Sequence, residues 1–235
     1  MKIQVLVILF MASLHLGNAQ NINDFFNEAD GFFKSYVRDG KVNYEAIAEN
    51  PKTINTLLSQ AEGIKAQPED SNTYQAFWVN AYNLAVIKGI IDHYPVASPL
   101  DTEGFFDTIT YRIAGESLTL NTIENIKLRA VFHEPRLHFV LVCGAIGCPP
   151  LIAKAYTPDN LELQLETQTK MALNNPDFIK VTGDAVQLSE IFKWYKGDFV
   201  KDGSLLDFIN PFRSKNLNPE LKISYYPYNW KLNKQ

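Results

Sequence analysis

The chain has 235 residues, of which 46% are hydrophobic, 20% charged and 12% aromatic, and its formal net charge is −4. This composition is typical of a globular protein and excludes a disordered chain, a collagen-like repeat and a long coiled coil. The mildly negative charge argues against nucleic acid or an anionic membrane as the main partner, because both attract basic surfaces. The length suits one domain or at most two.

The first nineteen residues have the pattern of a secretory signal peptide. Lys2 precedes an apolar stretch at 3–16, and the small-residue sequence 17–19 (GNA) resembles a cleavage site. The apolar stretch is shorter than the roughly 20 residues of a transmembrane helix, which favours cleavage over anchoring. We therefore expect an exported protein, periplasmic or secreted, whose mature chain of residues 20–235 is one domain without an integral membrane segment.

The first half of the mature chain is predicted to be helical. Apolar residues at three- and four-residue spacing indicate helices over 22–37, over 44–62 with an interruption at Pro51, and over 72–93, ending before Pro95. The third helix is apolar nearly all round, which places it at the centre of the fold.

The second half mixes hairpins and helices. In chain order we expect a hairpin of 108–113 and 116–120, a helix to 130 capped by Thr119 or Asn121, a buried strand at 137–142, a helix over 157–173, a hairpin of 179–182 and 185–188, a helix capped by Ser189, and a strand at 221–226. This order predicts an α+β fold, a single domain with a central apolar helix, several surrounding helices and a small, mostly antiparallel sheet.

Polar side chains on the central helix form the first candidate site. Asn80 and Asn83 are three residues apart, so they neighbour each other on the helix, close to Trp78. One interpretation makes them hydrogen-bond donors in a pocket, as in an oxyanion-type site. The other has them bind loop main chain, which is the more common role of side-chain hydrogen bonds. Arg129 is a further candidate for a polar cleft, and an ion pair or a solvated position is its alternative.

The two cysteines form the second candidate site. Cys143 and Cys148 enclose a short glycine-containing loop after the predicted strand. In an exported protein they are first of all candidates for a disulfide. Alternatively, either of them is a thiol nucleophile with His133 or His138 as its base. On a regular strand His138 and Cys143 point to opposite faces, so that pairing requires the loop to fold back.

The sequence gives little support to metal or cofactor binding. The three histidines of the mature chain and the two cysteines lack the close spacing of metal ligands. Neither a dinucleotide-binding nor a phosphate-binding glycine loop is found. We therefore predict no metal site and no cofactor.

The order of motifs is similar to that of the domain-of-unknown-function 547 (DUF547) family, a group of exported bacterial proteins with plant relatives. The resemblance covers about 42–230, and its marks are 76–83 (AFWVNAYN), Gly115 with 118–120 (LTL), 123–124 (IE) with 128–129 (LR), 135–139 (PRLHF), 143–149 (CGAIGCP), 188–189 (LS), 191–195 (IFKWY) and 198–199 (DF). The family's name records an undetermined activity, so the resemblance implies no mechanism.

Two departures limit what the resemblance implies about a site. Asn125 stands where the family pattern leads us to expect a histidine. If that histidine is a base or a ligand in the family, this chain is impaired. Plant relatives often carry serines around the position of Cys148, which argues against an obligatory two-cysteine mechanism.

Three functional hypotheses follow. The first is a non-catalytic binding domain with a polar cleft at Trp78, Asn80, Asn83 and Arg129, whose ligand is a peptide, a glycan or a protein. The alternative is a thiol-dependent hydrolase or transferase in which Cys143 or Cys148 attacks and His138 or His133 is the base. The third is a metal site at the histidines. The first two require that the polar groups of the central helix and the cysteine loop meet at one water-accessible hollow.

Overall fold

The computed structural model describes residues 21–235, so the predicted signal peptide at 1–19 lies outside the described residues. The first elements are α1 (Ile22–Tyr36), β1 (Val37–Arg38), β2 (Lys41–Val42), α2 (Tyr44–Glu49), α3 (Lys52–Gly63) and α4 (Ser71–Asp92). The helix predicted over 22–37 is confirmed as α1. The helix predicted over 44–62 is interrupted at Pro51, as expected, because proline has no N–H to continue the hydrogen bonding.

Helix α4 lies at the centre of the fold. Its residues are buried almost without interruption from Tyr74 to Ile91, which confirms the prediction made from its apolar character. Helices α1, α2 and α3 pack against it. A helix that is apolar on all sides is stable in water only when other elements surround it.

A hairpin and an irregular helix follow α4. Strands β3 (Thr110–Ile113) and β4 (Glu116–Thr119) pair antiparallel, which confirms the first predicted hairpin. The next helix consists of α5 (Leu120–Thr122), a π-helical segment (Ile123–Arg129) and α6 (Ala130–Phe132). The hydroxyl of Thr119 accepts a hydrogen bond from the Thr122 amide at 3.1 Å, so Thr119 is the cap. We call 120–132 the π-bulged helix.

The strand predicted at 137–142 is wrong. The structure has a 3₁₀ helix at Pro135–Phe139, followed by a turn at Val140 and an irregular segment at 141–143. The predicted burial is correct, since Leu137 and Val140 are both fully buried. In place of a neighbouring strand, the Asn83 side chain donates to the Val140 carbonyl at 3.0 Å and accepts from the Val142 amide at 2.9 Å. The Asn83 side chain therefore supplies the hydrogen-bond partners that a neighbouring strand would give these buried main-chain groups in a sheet.

The C-terminal part contains α7 (Leu161–Asn174), β5 (Ile179–Thr182), β6 (Ala185–Ser189), α8 (Ile191–Trp194), α9 (Lys196–Phe199), α10 (Leu205–Ile209) and β7 (Lys222–Tyr226). Strand β6 pairs antiparallel with β5 and parallel with β7. The second hairpin and the last strand are thereby confirmed. The single helix predicted after Ser189 is wrong, because Ser189 ends β6 and the helical backbone breaks at Tyr195.

The described residues thus form the predicted α+β domain. The predicted single small sheet is instead three small sheets among these residues, because each hairpin pairs only locally and β7 joins the last one. One hydrophobic core surrounds α4, and a second is built on Phe139, Phe192 and Phe199. None of the helices within 21–235 has the length and apolar character needed to cross a bilayer.

Replacing the Asn83 side chain tests this account of the 137–142 segment. Asn83→Ala leaves the Val140 carbonyl and the Val142 amide without partners in the core, so we expect the free energy of unfolding to fall by roughly 2–5 kcal/mol. Urea denaturation measures this change. The control is Asn27→Ala on the exposed face of α1. Equal stability of the two variants would contradict the account.

Candidate functional site

A cavity of about 380 Å³ lies where four parts of the chain meet. They are α4, the π-bulged helix, the loop 143–148 between the two cysteines (the cysteine loop) and the residues after β7, 227–235 (the C-terminal segment). The cavity is lined by Tyr82, Phe106, Asp107, Asn121, Glu124, His138, Leu141, Cys143, Cys148, Ile191, Trp194, Tyr195, Tyr228 and Trp230. We call it the central cavity. It contains both cysteines and one of the two predicted bases, so it is the candidate site.

The two cysteines of the central cavity form a disulfide, with their Cα atoms 6.3 Å apart. This is the first of the two interpretations that the sequence left open. The Tyr228 hydroxyl lies 3.1 Å from the Cys148 sulfur and 3.3 Å from the Cys143 sulfur. A disulfide carries no thiolate, so the oxidised chain has no sulfur nucleophile.

The C-terminal segment is fixed to the cysteine loop through main chain. The amide of Ile146 donates to the carbonyl of Lys231 at 2.7 Å, and that of Gly147 donates to the carbonyl of Asn229 at 2.8 Å. A Cβ atom at position 147 would lie 2.9 Å from the Tyr228 ring, so glycine allows this ring to approach the loop. These bonds place Tyr228 in the cavity wall.

His138 is held by a carboxylate behind the cavity wall. Its Nε2 lies 2.8 Å from Oδ2 of Asp198, and the same oxygen accepts from Nε of Arg129 at 2.7 Å. The Tyr195 ring stacks on the His138 ring at 4.0 Å, and the Arg129 guanidinium lies 4.8 Å from the Tyr195 ring centre. The hydrogen bonds from His138 and Arg129 hold the pKa of Asp198 well below its usual range.

Glu124 brings a buried carboxylate to the central cavity. It lies in the π-helical segment, is 7% exposed, and has no Lys, Arg or His within 4 Å among the described residues. Short π-helical segments are frequent at functional sites. Burial raises the pKa of Tyr195, and the neighbouring Glu124 charge raises it further. Tyr195 therefore stays a neutral hydroxyl near a carboxylate.

The residues predicted on the central helix do not line this cavity. The Asn80 side chain donates to the carbonyls of Ala76 and Tyr156 and accepts from the Tyr156 amide, at 2.7–2.9 Å. Asn83 is bound to main chain in the same way, and Trp78 is buried against Tyr74. These two asparagines therefore have the main-chain role, which was the second interpretation of the pair.

Arg129 and His133, the other predicted residues, both lie outside the lining of the central cavity. Arg129 supports His138 through Asp198 but is not a lining residue. Its Nη1 also donates to Oδ1 of Asn125. His133 is exposed and lines a different depression. Within residues 21–235, no three His, Cys, Asp or Glu side chains are close enough to hold a metal ion, so the metal hypothesis has no ligand set there.

Sequence reasoning missed most of the aromatic wall. Trp194, Tyr228 and Trp230 form a cluster with ring centres 4.8–5.9 Å apart. They come from α8 and from the C-terminal segment, so no local pattern connects them. Only Glu124 could have been found from the sequence, because a charged residue within an apolar stretch of a helix indicates a buried polar group.

The fold and the cavity define an α+β domain with an aromatic-walled cavity that is open at exposed residues such as Asn121. Residues 67–173 match the model of the family described as "Protein of unknown function, DUF547". The chain therefore carries a DUF547 region, which confirms the resemblance over that span. Nothing similar was found among curated proteins or among solved structures. Tyr82, Glu124 and the disulfide lie inside the matched region, whereas α8 and the C-terminal aromatic residues lie outside it.

The Asp198 carboxylate makes the stability of the fold depend on pH. Because the pKa of Asp198 is lower in the folded chain than its ordinary value of 3.8, the folded chain binds fewer protons in acid than the unfolded chain. Asp198 therefore stabilises the fold above pH 3.8, and this contribution is lost as the pH falls below it.

We expect Asp198→Asn to lower the free energy of unfolding by about 1 kcal/mol at neutral pH, since the carboxylate is partly exposed to solvent. The difference from the unmodified chain should shrink in acid. Denaturant titrations between neutral pH and the acid range measure this, with the exposed Asp202→Asn as control. A difference that grows on acidification would contradict the assignment.

The disulfide makes a simple prediction about thiol reactivity. The folded, unreduced chain should take up no iodoacetamide, because both sulfurs are in the Cys143–Cys148 bond. After reduction and unfolding, mass spectrometry should find two alkylated cysteines. Alkylation of the folded chain before reduction would show that the bond is not formed.

Proposed function

We propose that this chain is an exported binding domain whose ligand occupies the central cavity. One observation carries the proposal: a hollow with aromatic walls that contains the buried carboxylate of Glu124, which has no ion-pair partner within residues 21–235. Apolar walls with a few placed polar groups are typical of ligand sites, which usually measure about 300–1,000 Å³. At about 380 Å³ the cavity suits a small molecule or a single side chain of a peptide or protein, or one sugar unit of a glycan.

The chemistry of the wall favours binding over thiol catalysis. A thiol hydrolase needs a thiolate, whereas both sulfurs are bonded to each other. The amide groups of Asn80 and Asn83, which would orient a base or an oxyanion, are bound to buried main chain instead. Tyr228 and the tryptophans offer contact surface without reactive groups.

A thiol-dependent hydrolase or transferase is the second candidate, because His138 and the two sulfurs line the same cavity. Asp198 binds Nε2 of this histidine, so it orients the ring as a catalytic carboxylate does. This candidate requires a reduced Cys143 or Cys148. It predicts turnover of a generic ester or amide only after reduction, and loss of that turnover in His138→Ala. Under the binding proposal neither redox form turns over such a substrate.

Blocking the cavity tests the binding proposal. Asn121 is exposed and lines the cavity, so Asn121→Trp should fill the opening without disturbing the core. Ligand-observed NMR with a mixture of small fragments, amino-acid amides and monosaccharides should identify compounds that bind the native chain. Their binding should be lost in Asn121→Trp.

The matched control is Ile126→Trp, which places the same ring on the same helix at an exposed position outside the cavity. It should leave the binding of every compound unchanged. The proposal is wrong if no fragment binds the native chain, or if Asn121→Trp binds the same fragments equally well.

A further inference from the structure

We infer that the ligand of the central cavity carries an alkylammonium group, with Glu124 as its counter-ion and the aromatic rings as its walls. This inference rests on the proposed binding function and specifies the ligand's charge. It is drawn from three features of the site, which are the sign of the lining charges, the aromatic surface and the pairing of the neighbouring cations.

The charges of the cavity lining are negative. Two carboxylates are present, the buried Glu124 and the exposed Asp107, and the lining contains neither lysine nor arginine. A carboxylate that is 7% exposed has lost most of its hydration, which is costly unless a cation or several donors compensate. A bound cation supplies this compensation, whereas an anionic ligand would meet the like charge of Glu124 and Asp107 and, among the described lining residues, neither lysine nor arginine.

The rings of the cavity add a second attraction for a cation. The lining includes Tyr82, Phe106, Trp194, Tyr195, Tyr228 and Trp230. The faces of tryptophan and tyrosine rings carry negative potential and attract ammonium groups. Trp194 is 45% exposed, although a large aromatic side chain is usually buried, so part of its surface is available to a ligand. Burial raises the pKa of Tyr82 and Tyr228, so both stay uncharged.

The protein's own cations near Glu124 are paired elsewhere. Arg129 binds Asp198, and Lys127 binds Glu116 at 2.6 Å. Both come from the π-bulged helix, yet neither forms an ion pair with Glu124 within 4 Å. Arg129 attracts Glu124 only at longer range, which contributes to the raised pKa of Arg129. Among the described residues Glu124 therefore has no ion-pair partner of its own, and a ligand cation can supply one.

Matched pairs of probes test the charge of the ligand in the unmodified mature chain. Choline and 3,3-dimethylbutan-1-ol have the same shape, but only choline is charged. Pentylamine, which is protonated at neutral pH, and the neutral pentan-1-ol form a second pair of similar shape. Isothermal titration calorimetry should give at least one cation about tenfold higher affinity than its alcohol, as expected for a cation–π contact in a desolvated site. A higher affinity for choline than for its alcohol indicates a quaternary ammonium ligand. A higher affinity for pentylamine than for pentan-1-ol indicates a primary ammonium group, such as that of a lysine side chain.

Variants locate the effect at Glu124. Glu124→Gln should weaken binding of the cation about tenfold and leave the alcohol within about twofold. Glu69→Gln, at an exposed position remote from the cavity lining, should change neither. If Glu124→Gln fails to fold, the comparison of cation and alcohol still decides, because it needs no variant.

The contrary outcomes separate the two proposals. If an alcohol binds as tightly as its cation and Asn121→Trp abolishes both, the charge assignment is wrong and the binding function stands. If neither cation binds, the alkylammonium inference is wrong. If, in addition, the fragment mixture contains no ligand, the binding function is wrong as well.

Discussion

Two buried asparagines of the central helix α4 hold the parts of the chain that form the site. Asn80 binds the main chain of Tyr156, and Asn83 binds that of Val140 and Val142, directly before the cysteine loop. Buried amides are costly without partners, so each one admits a single arrangement of the segment it binds. The cysteine loop, and with it one wall of the central cavity, therefore has its position fixed from the middle of the core.

Much of the fold could be predicted from apolar spacing. Helix α1, the break at Pro51, the buried α4 and both hairpins are local features, which a sequence pattern records. The segment 137–142 is different, because its short apolar pattern indicates burial but does not distinguish a strand from an irregular segment that is hydrogen-bonded to a side chain. Its partner, Asn83, lies more than fifty residues away.

The site was less predictable than the fold. The cysteine pair is local, and exported chains favour a disulfide there. The ring of aromatic residues is assembled from α4, α8 and the C-terminal segment, and long-range assembly of this kind leaves no spacing to detect. Part of this ring also lies beyond the DUF547 region at 67–173. The matched region alone therefore lacks Trp194, Tyr195, Tyr228 and Trp230, and the cavity requires the rest of the chain.

The proposed ligand of the central cavity is an organic cation that Glu124 and the surrounding rings bind. A crystal structure of the protein grown with choline tests this proposal most directly. The account predicts a trimethylammonium group within about 6 Å of the Trp194, Tyr228 or Trp230 ring centres and facing the Glu124 carboxylate. Choline bound only elsewhere on the protein, with water alone beside Glu124, would contradict it.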